Sequence, residues 1–151
     1  MGGKRVILVR KRKATDRLPE VVLAFLVLAL GGCNGGTVDK HALQRDAENV
    51  ASLASEGGLL ADDVSRGRST KYFVRVHAKE LSRKASNLED ALAERQATPG
   101  ITSDVRKLSK LAGKVSRELK LLHLHPTDRG VAVSLKKPLS DDADAADQLA
   151  K

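Results

Sequence analysis

The chain has 151 residues, the length of one domain of ordinary size, and its formal net charge is +8 at pH 7. Residues 1–32 carry seven basic and two acidic side chains, so five of these eight charges lie there and the following residues hold only +3. Aromatic residues make up 2% of the sequence, which argues against the base stacking used by nucleic-acid-binding proteins. The single cysteine excludes an intramolecular disulfide.

The first segment with a clear pattern runs from a basic cluster to the lone cysteine. Residues 11–13 are basic, residues 21–30 are apolar without interruption, and the small pair Gly31 and Gly32 precedes Cys33. A basic segment, a short apolar core and small residues before a cleavage point are the three parts of a secretory signal. Ten apolar residues cover only about 15 Å as a helix, roughly half of the hydrocarbon layer, so this segment is too short to span a membrane.

The four residues that end at Cys33 resemble the lipobox of bacterial lipoproteins, in which an aliphatic residue and two small residues precede a cysteine. The resemblance implies that the Cys33 thiol receives a diacylglycerol, with fatty-acyl chains such as palmitate, and that the bond between Gly32 and Cys33 is cut. Residues 1–32 are then a cleaved signal peptide and residues 33–37 a lipidated tether. The alternatives are a lone buried thiol, or an ordinary signal peptide followed by a coincidental cysteine. The resemblance also implies a cell-membrane location facing the extracytoplasmic side, and Asn34 permits delivery to an outer membrane where the organism has one.

Three segments downstream show the apolar spacing of helices that pack on neighbours, with steps of three and four residues. They are residues 38–64, 70–96 and 102–125. The pair Gly57 and Gly58 either breaks the first helix or lets a neighbouring helix approach closely. Because the apolar register continues across the pair, we expect one continuous helix. The pattern predicts an all-α fold, namely an antiparallel bundle of three long helices over residues 38–125.

The C-terminal residues 126–151 have a weaker pattern. Residues 131–135 have the composition of a strand, yet no second strand is available to pair with it. Residues 126–139 are therefore predicted to form an extended segment along the bundle. Ser140 and the two aspartates after it are typical of a helix start, so we expect a short, frayed acidic helix to follow.

No pattern in the sequence indicates catalysis or a bound metal. A zinc site needs three or four converging ligands, and the nearby pair His123 and His125 supplies two at most. Asp62 and Asp63 are adjacent and diverge on a helix, whereas hydrolytic carboxylates face each other across a cleft. No serine lies in a nucleophile motif. We therefore predict a non-enzymatic protein with no metal, no cofactor and no small-molecule substrate.

Basic side chains concentrate in residues 66–120, which hold fourteen lysines and arginines against six acidic residues. Those that recur at helical spacing form a candidate anion-binding site. They are Lys71, Arg75, Lys79 and Arg83 on the second helix, and Lys110, Lys114 and Arg117, or Arg106 in place of Arg117, on the third. Like charges at such spacing repel each other, so either an opposite charge offsets the cost or the fold tolerates it. The opposite charge is internal, since residues 33–65 carry six acidic and two basic side chains, or it belongs to an anionic partner.

The sequence as a whole predicts a membrane-anchored lipoprotein whose helical bundle is an interaction or structural component of the cell envelope. The alternative is a binding module for an anionic envelope polymer, a lipid headgroup or an acidic protein. Each long helix is about 40 Å in length, several times the Debye length of ~8 Å at physiological ionic strength. A bundle standing upright on its tether would therefore hold its far end beyond the field of its own membrane, and only a bundle lying flat could use the basic residues there.

Overall fold

The computed structural model describes residues 37–151, which form four α-helices and no β-strand. In chain order the helices are α1 (Lys40–Ser65), α2 (Lys71–Glu94), α3 (Thr102–Leu124) and α4 (Arg129–Leu149). The predicted all-α class is confirmed, but the described residues contain four long helices rather than three. The predictions for the signal peptide and for Cys33 concern residues outside the described range.

Local sequence sets where three of the helices begin. The side chains of Asp39, Thr70 and Asp128 each accept a hydrogen bond from the backbone N–H three residues later. Such a cap satisfies one of the N–H groups that the first turn of a helix leaves without a partner. Gly67 and Gly100 lie in the two connections around α2 with φ angles of +68° and +98°. Glycine adopts this left-handed conformation without steric cost, and the chain can therefore reverse direction there.

Neighbouring helices run antiparallel, in an up, down, up, down order. α2 packs most extensively on α3 and α1 on α4, whereas α2 and α4 make no contact. Side chain to backbone hydrogen bonds join Ser82 to Ser116 and Ser109 to Glu89, so residue numbers rise along α2 as they fall along α3. We call the end of the bundle where α1 begins the proximal end and the opposite end the distal end. The proximal end also holds the end of α2, the start of α3 and the end of α4.

Leucine, valine and alanine fill the core between the helices. α1 continues unbroken through Gly57, as the apolar register predicts. A Cβ atom added at Gly57 would lie 2.5 Å from Leu119 Cδ2 of α3 and 3.4 Å from Leu139 Cδ1 of α4. The missing side chain therefore allows both neighbouring helices to approach α1 closely. Close approach of a neighbour, the second of the two interpretations of this glycine pair, is confirmed at Gly57.

The prediction of an extended segment over residues 126–139 is wrong. α4 begins at Arg129 and continues through the region where a separate short helix was expected. Its buried apolar side chains recur at steps of three and four residues and are Ala132, Leu135, Leu139, Ala143 and Ala146. Pro138 lies inside the helix and removes one backbone hydrogen bond, at a cost of about 3 kcal/mol that the burial of this apolar face offsets. The prediction of an extended segment rested on the strand-like composition of residues 131–135 and overlooked this helical periodicity.

Candidate functional site

Three of the four cations predicted on α2 have no described carboxylate at ion-pairing distance. Lys71, Arg75 and Lys79 are exposed, and within residues 37–151 none of them has a carboxylate at ion-pairing distance. Arg83 is also exposed but donates two hydrogen bonds to Glu80, at 2.7 and 3.2 Å. These hydrogen bonds lower the pKa of Glu80 and raise the pKa of Arg83. The four-residue spacing carries the four cations along one side of α2.

The predicted residues of α3 do not all face the same way. Lys110 and Arg117 are exposed and have no ion-pair partner among the described residues, and the alternative residue Arg106 is exposed in the same manner. Lys114 differs, because its Nζ lies 2.5 Å from Asp142 Oδ1 on α4. The hydrogen bond to Asp142 raises the pKa of Lys114. Lys114 therefore belongs to an internal ion pair between helices, which sets it apart from the other predicted cations.

A groove of about 360 Å³ runs between α2 and α3. The hydroxyl groups of Ser82 and Ser116 each donate a hydrogen bond to the backbone carbonyl oxygen of the other, at 2.9 and 3.0 Å. These small side chains let the two helices pack closely beneath the groove. The basic side chains that line it are Lys79, Arg83, Lys120 and His123. The groove therefore brings two of the predicted cations together with Lys120 and His123, which were not predicted to belong to the anion-binding site.

The spacing of Lys120 and His123 from Ser116 is a weak sequence signal for their place at the groove. They follow Ser116 by four and seven residues, which places them on the same side of α3 as the serine that contacts α2. His123 Nδ1 lies 2.9 Å from the backbone carbonyl oxygen of Arg75 and donates to it, because a carbonyl oxygen can only accept. This hydrogen bond holds the ring at the groove, and Nε2 is the ring nitrogen that remains for another partner.

A second groove, of about 610 Å³, lies nearer the proximal end between the last turn of α2 and the first turns of α3. Its basic lining residues are Arg95, Arg106 and Lys110. Arg95 is 3.3 Å from Asp46 of α1, so two cations of this groove remain unpaired among the described residues. We define the α2–α3 basic face as the exposed cations around these two grooves and along the outer sides of the two helices. Its members are Lys71, Arg75, Lys79, Arg83, Arg106, Lys110, Arg117 and Lys120.

The ion pairs that acidic residues of α1 form are with cations outside the α2–α3 basic face. Asp62 contacts Lys136 of α4 at 2.5 Å and the two arginines of the α1–α2 turn at 2.8 and 3.0 Å. The hydrogen bond from Lys136 holds the pKa of Asp62 below its ordinary value. Glu56 contacts His77 at 2.8 Å. Carboxylates of α1 therefore neutralise these cations within the bundle. Among the described residues, none of them pairs with a cation of the α2–α3 basic face.

Two carboxylates are buried together between α3 and α4. Glu118 and Asp142 are 9% and 4% exposed, and one oxygen of each has no hydrogen-bond partner within the described chain. Lys114 Nζ is 2.5 Å from Asp142 Oδ1 and 3.7 Å from Glu118 Oε1, so one cation serves two carboxylates. Burial, and after it the charge of Asp142, raises the pKa of Glu118 to about 7. Folding therefore favours the protonated form of Glu118.

The remaining predictions concern metals, the membrane and the N-terminal residues. In residues 37–151, no three His, Cys, Asp or Glu side chains are placed to hold a metal ion together. None of the four helices is both long enough and apolar enough to cross a membrane. The predicted cleavage and lipidation residues, Gly32 and Cys33, lie outside the described part of the chain. No protein-family model, curated protein or solved structure matches this chain.

Proposed function

We propose that the chain is a lipid-anchored, non-enzymatic protein of the bacterial cell envelope whose helical bundle binds an anionic partner through the α2–α3 basic face. The lipobox-like residues before Cys33 support the anchor and the extracytoplasmic location. One observation carries the binding role. Seven of the eight cations of the face have no carboxylate at ion-pairing distance within residues 37–151.

The distribution of acidic residues on α3 supports the same role. α3 carries six lysines and arginines and only two carboxylates. Glu118 is buried, and Asp104 accepts a hydrogen bond from Lys107 at 2.8 Å. The outer side of α3 is therefore left with like charges at helical spacing, each pair of which costs a few tenths of a kcal/mol. An anionic partner would remove this repulsion, which is the physical reason to expect one.

Charge reversal across the groove tests the binding role. Lys79→Glu with Lys120→Glu places two negative charges on opposite walls of the groove. We expect the affinity for immobilised polyphosphate to fall at least about tenfold, because each basic side chain near an anionic surface contributes roughly 1 kcal/mol. Affinity of the unaltered protein should also fall steeply as salt is added, since salt screens exposed charges.

The control makes the same change of net charge elsewhere. Lys40→Glu with Lys84→Glu alters two exposed lysines outside the α2–α3 basic face. This control should bind polyphosphate nearly as well as the unaltered protein. Equal losses in the two double variants would show that net charge alone governs binding, and the proposed face would be refuted.

The anchor is tested separately at its sulfur. After a high-salt wash, which removes proteins held to the membrane by charge alone, Cys33→Ser should be absent from the membrane fraction. Its N-terminal peptide should lack the mass of the lipid, because serine has no thiol to receive a diacylglycerol. Gly36→Ser serves as the control and should leave both properties unchanged. The lipidation proposal would be contradicted if Cys33→Ser stayed with the washed membranes and its N-terminal peptide differed in mass from that of the unaltered protein only by the substitution. The binding proposal would not be affected.

A further inference from the structure

The outer side of α2 combines exposed apolar residues with the cations already described. Tyr72 and Val76 are 79% and 51% exposed and lie four residues apart, so they project from the same side of α2. They are followed by Lys79 and Arg83, so the four residues succeed one another at steps of four, three and four. That spacing puts them on a single stripe of the helix. The stripe is apolar at the distal end and cationic towards the middle of the bundle.

α3 carries a matching stripe in the opposite chain direction. Lys110, Arg117, Leu121 and Leu124 follow one another at steps of seven, four and three, and the two leucines are 46% and 53% exposed. Because α3 runs antiparallel to α2, its exposed leucines lie at the same distal end as the exposed apolar residues of α2. The hydrogen bond between His123 and the Arg75 carbonyl joins the helices at that level. The two stripes therefore form one surface with an apolar end and a long cationic part.

The entry of the chain into the bundle lies against the same pair of helices. Val38 N donates to the Gln96 carbonyl at 2.7 Å, and Thr98 N donates to the Val38 carbonyl at 3.0 Å. Gln96 and Thr98 belong to the connection between α2 and α3. Residues 33–37 can reach at most about 18 Å when fully extended, so an anchor at Cys33 would hold this connection near the bilayer. A bundle tethered at that point can lie down on α2 and α3.

We propose that the anionic partner of the α2–α3 basic face is the surface of an anionic lipid bilayer, on which the bundle lies flat with Tyr72, Val76, Leu121 and Leu124 inserted among the headgroups. This inference rests on the proposed function and narrows its partner to one class. A soluble polyanion would be bound by the cations alone and leaves the exposed apolar residues without a role. An amphipathic surface with cations beside aromatic and aliphatic side chains is the arrangement that binds the interface of anionic membranes.

The experiment uses a fluorescent reporter, which is possible because the chain contains no tryptophan. Tyr72→Trp places the reporter on the proposed membrane surface, and Leu59→Trp places it on α1, at a residue that is 71% exposed and lies outside the two stripes. The full chain carrying either reporter is reconstituted into vesicles of phosphatidylcholine alone or of phosphatidylcholine mixed with phosphatidylglycerol. Emission is measured with and without brominated acyl chains, at low and at high salt.

We expect the Tyr72→Trp emission to shift to shorter wavelength and to be quenched by brominated lipid only in the anionic vesicles and only at low salt. Leu59→Trp should show neither effect. Adding Val76→Ser and Leu121→Ser to the Tyr72→Trp protein should lower the ratio of quenched to unquenched reporter about tenfold. The reason is that the free energy gained by moving these two apolar side chains from water into the bilayer is lost. Far-ultraviolet circular dichroism verifies that these exposed substitutions leave the helices intact.

Two results would overturn the inference. One is Tyr72→Trp emission that is the same in neutral and anionic vesicles, and the other is equal quenching of both reporters. If polyphosphate binding still depends on Lys79 and Lys120, the proposed function survives with a soluble or proteinaceous anionic partner in place of lipid. If that dependence is lost as well, the proposed function fails together with the inference.

Discussion

Replacing Glu118 with glutamine should make the protein more stable at neutral and alkaline pH. The pKa of this carboxyl group rises from 4.5 to about 7 on folding, since it is buried beside Asp142 with only Lys114 to compensate two carboxylates. Below pH 4.5 the group is protonated in both the folded and the unfolded state. Between pH 4.5 and about 7 the unfolded chain releases this proton while the folded chain retains it, so the free energy of unfolding falls as the pH rises.

The size of this effect follows from the same two values. Each pH unit in the window corresponds to about 1.4 kcal/mol, so the full penalty above the raised pKa is roughly 3 kcal/mol. Glutamine cannot ionise and has nearly the same shape, and its amide N–H offers a donor towards Asp142 in place of the O–H of the protonated carboxyl group. We therefore expect Glu118→Gln to match the unaltered protein near pH 4.5 and to exceed it by roughly 3 kcal/mol near pH 8.

Urea unfolding followed by circular dichroism at a series of pH values measures both free energies. The quantity of interest is the difference between variant and unaltered protein, because titrations of all other groups cancel in it. Glu94→Gln, at an exposed position on α2, is the control and should show no difference that grows with pH. A Glu118→Gln difference that is constant across the window, or a variant that is less stable at high pH, would refute the reasoning.

Gly57→Ala should destabilise the protein by about 1–3 kcal/mol, because the new Cβ meets Leu119 Cδ2 at 2.5 Å in a filled core. A Cβ atom at Gly58 would meet only Leu139 Cβ at 3.9 Å, so Gly58→Ala should instead raise the free energy of unfolding by about 1 kcal/mol through helix propensity. Urea unfolding measures both variants. Equal effects in the two would contradict the close approach of Leu119 to Gly57. Pro138→Ala should raise the free energy of unfolding by up to about 3 kcal/mol, since it restores a hydrogen bond within α4, and an unchanged melting temperature would count against this.

The sequence predicted the first three helices because their signals are local. Apolar steps of three and four residues mark a buried stripe on each helix. Thr70 caps α2, and it is also the first residue of the predicted segment 70–96. The fourth helix was missed although its apolar spacing is equally regular. Pro138 costs a helix several kcal/mol in isolation, and only the burial of Leu135 and Leu139 against the other helices reverses that preference.

The candidate site divides in the same way. The spacing of the lysines and arginines on α2 and α3 can be read directly from the sequence, and it was enough to predict a row of basic side chains on each helix. The different roles of neighbouring cations were decided by tertiary structure, since Lys114 meets Asp142 of α4 whereas Lys120 and His123 meet α2 at the groove. Periodicity fixes the angle of a residue around its own helix, but the partner at that angle comes from a segment far away in the chain. Helix position and charge pattern are therefore properties of the sequence, while pairing, burial and the raised pKa of Glu118 exist only once the helices have packed.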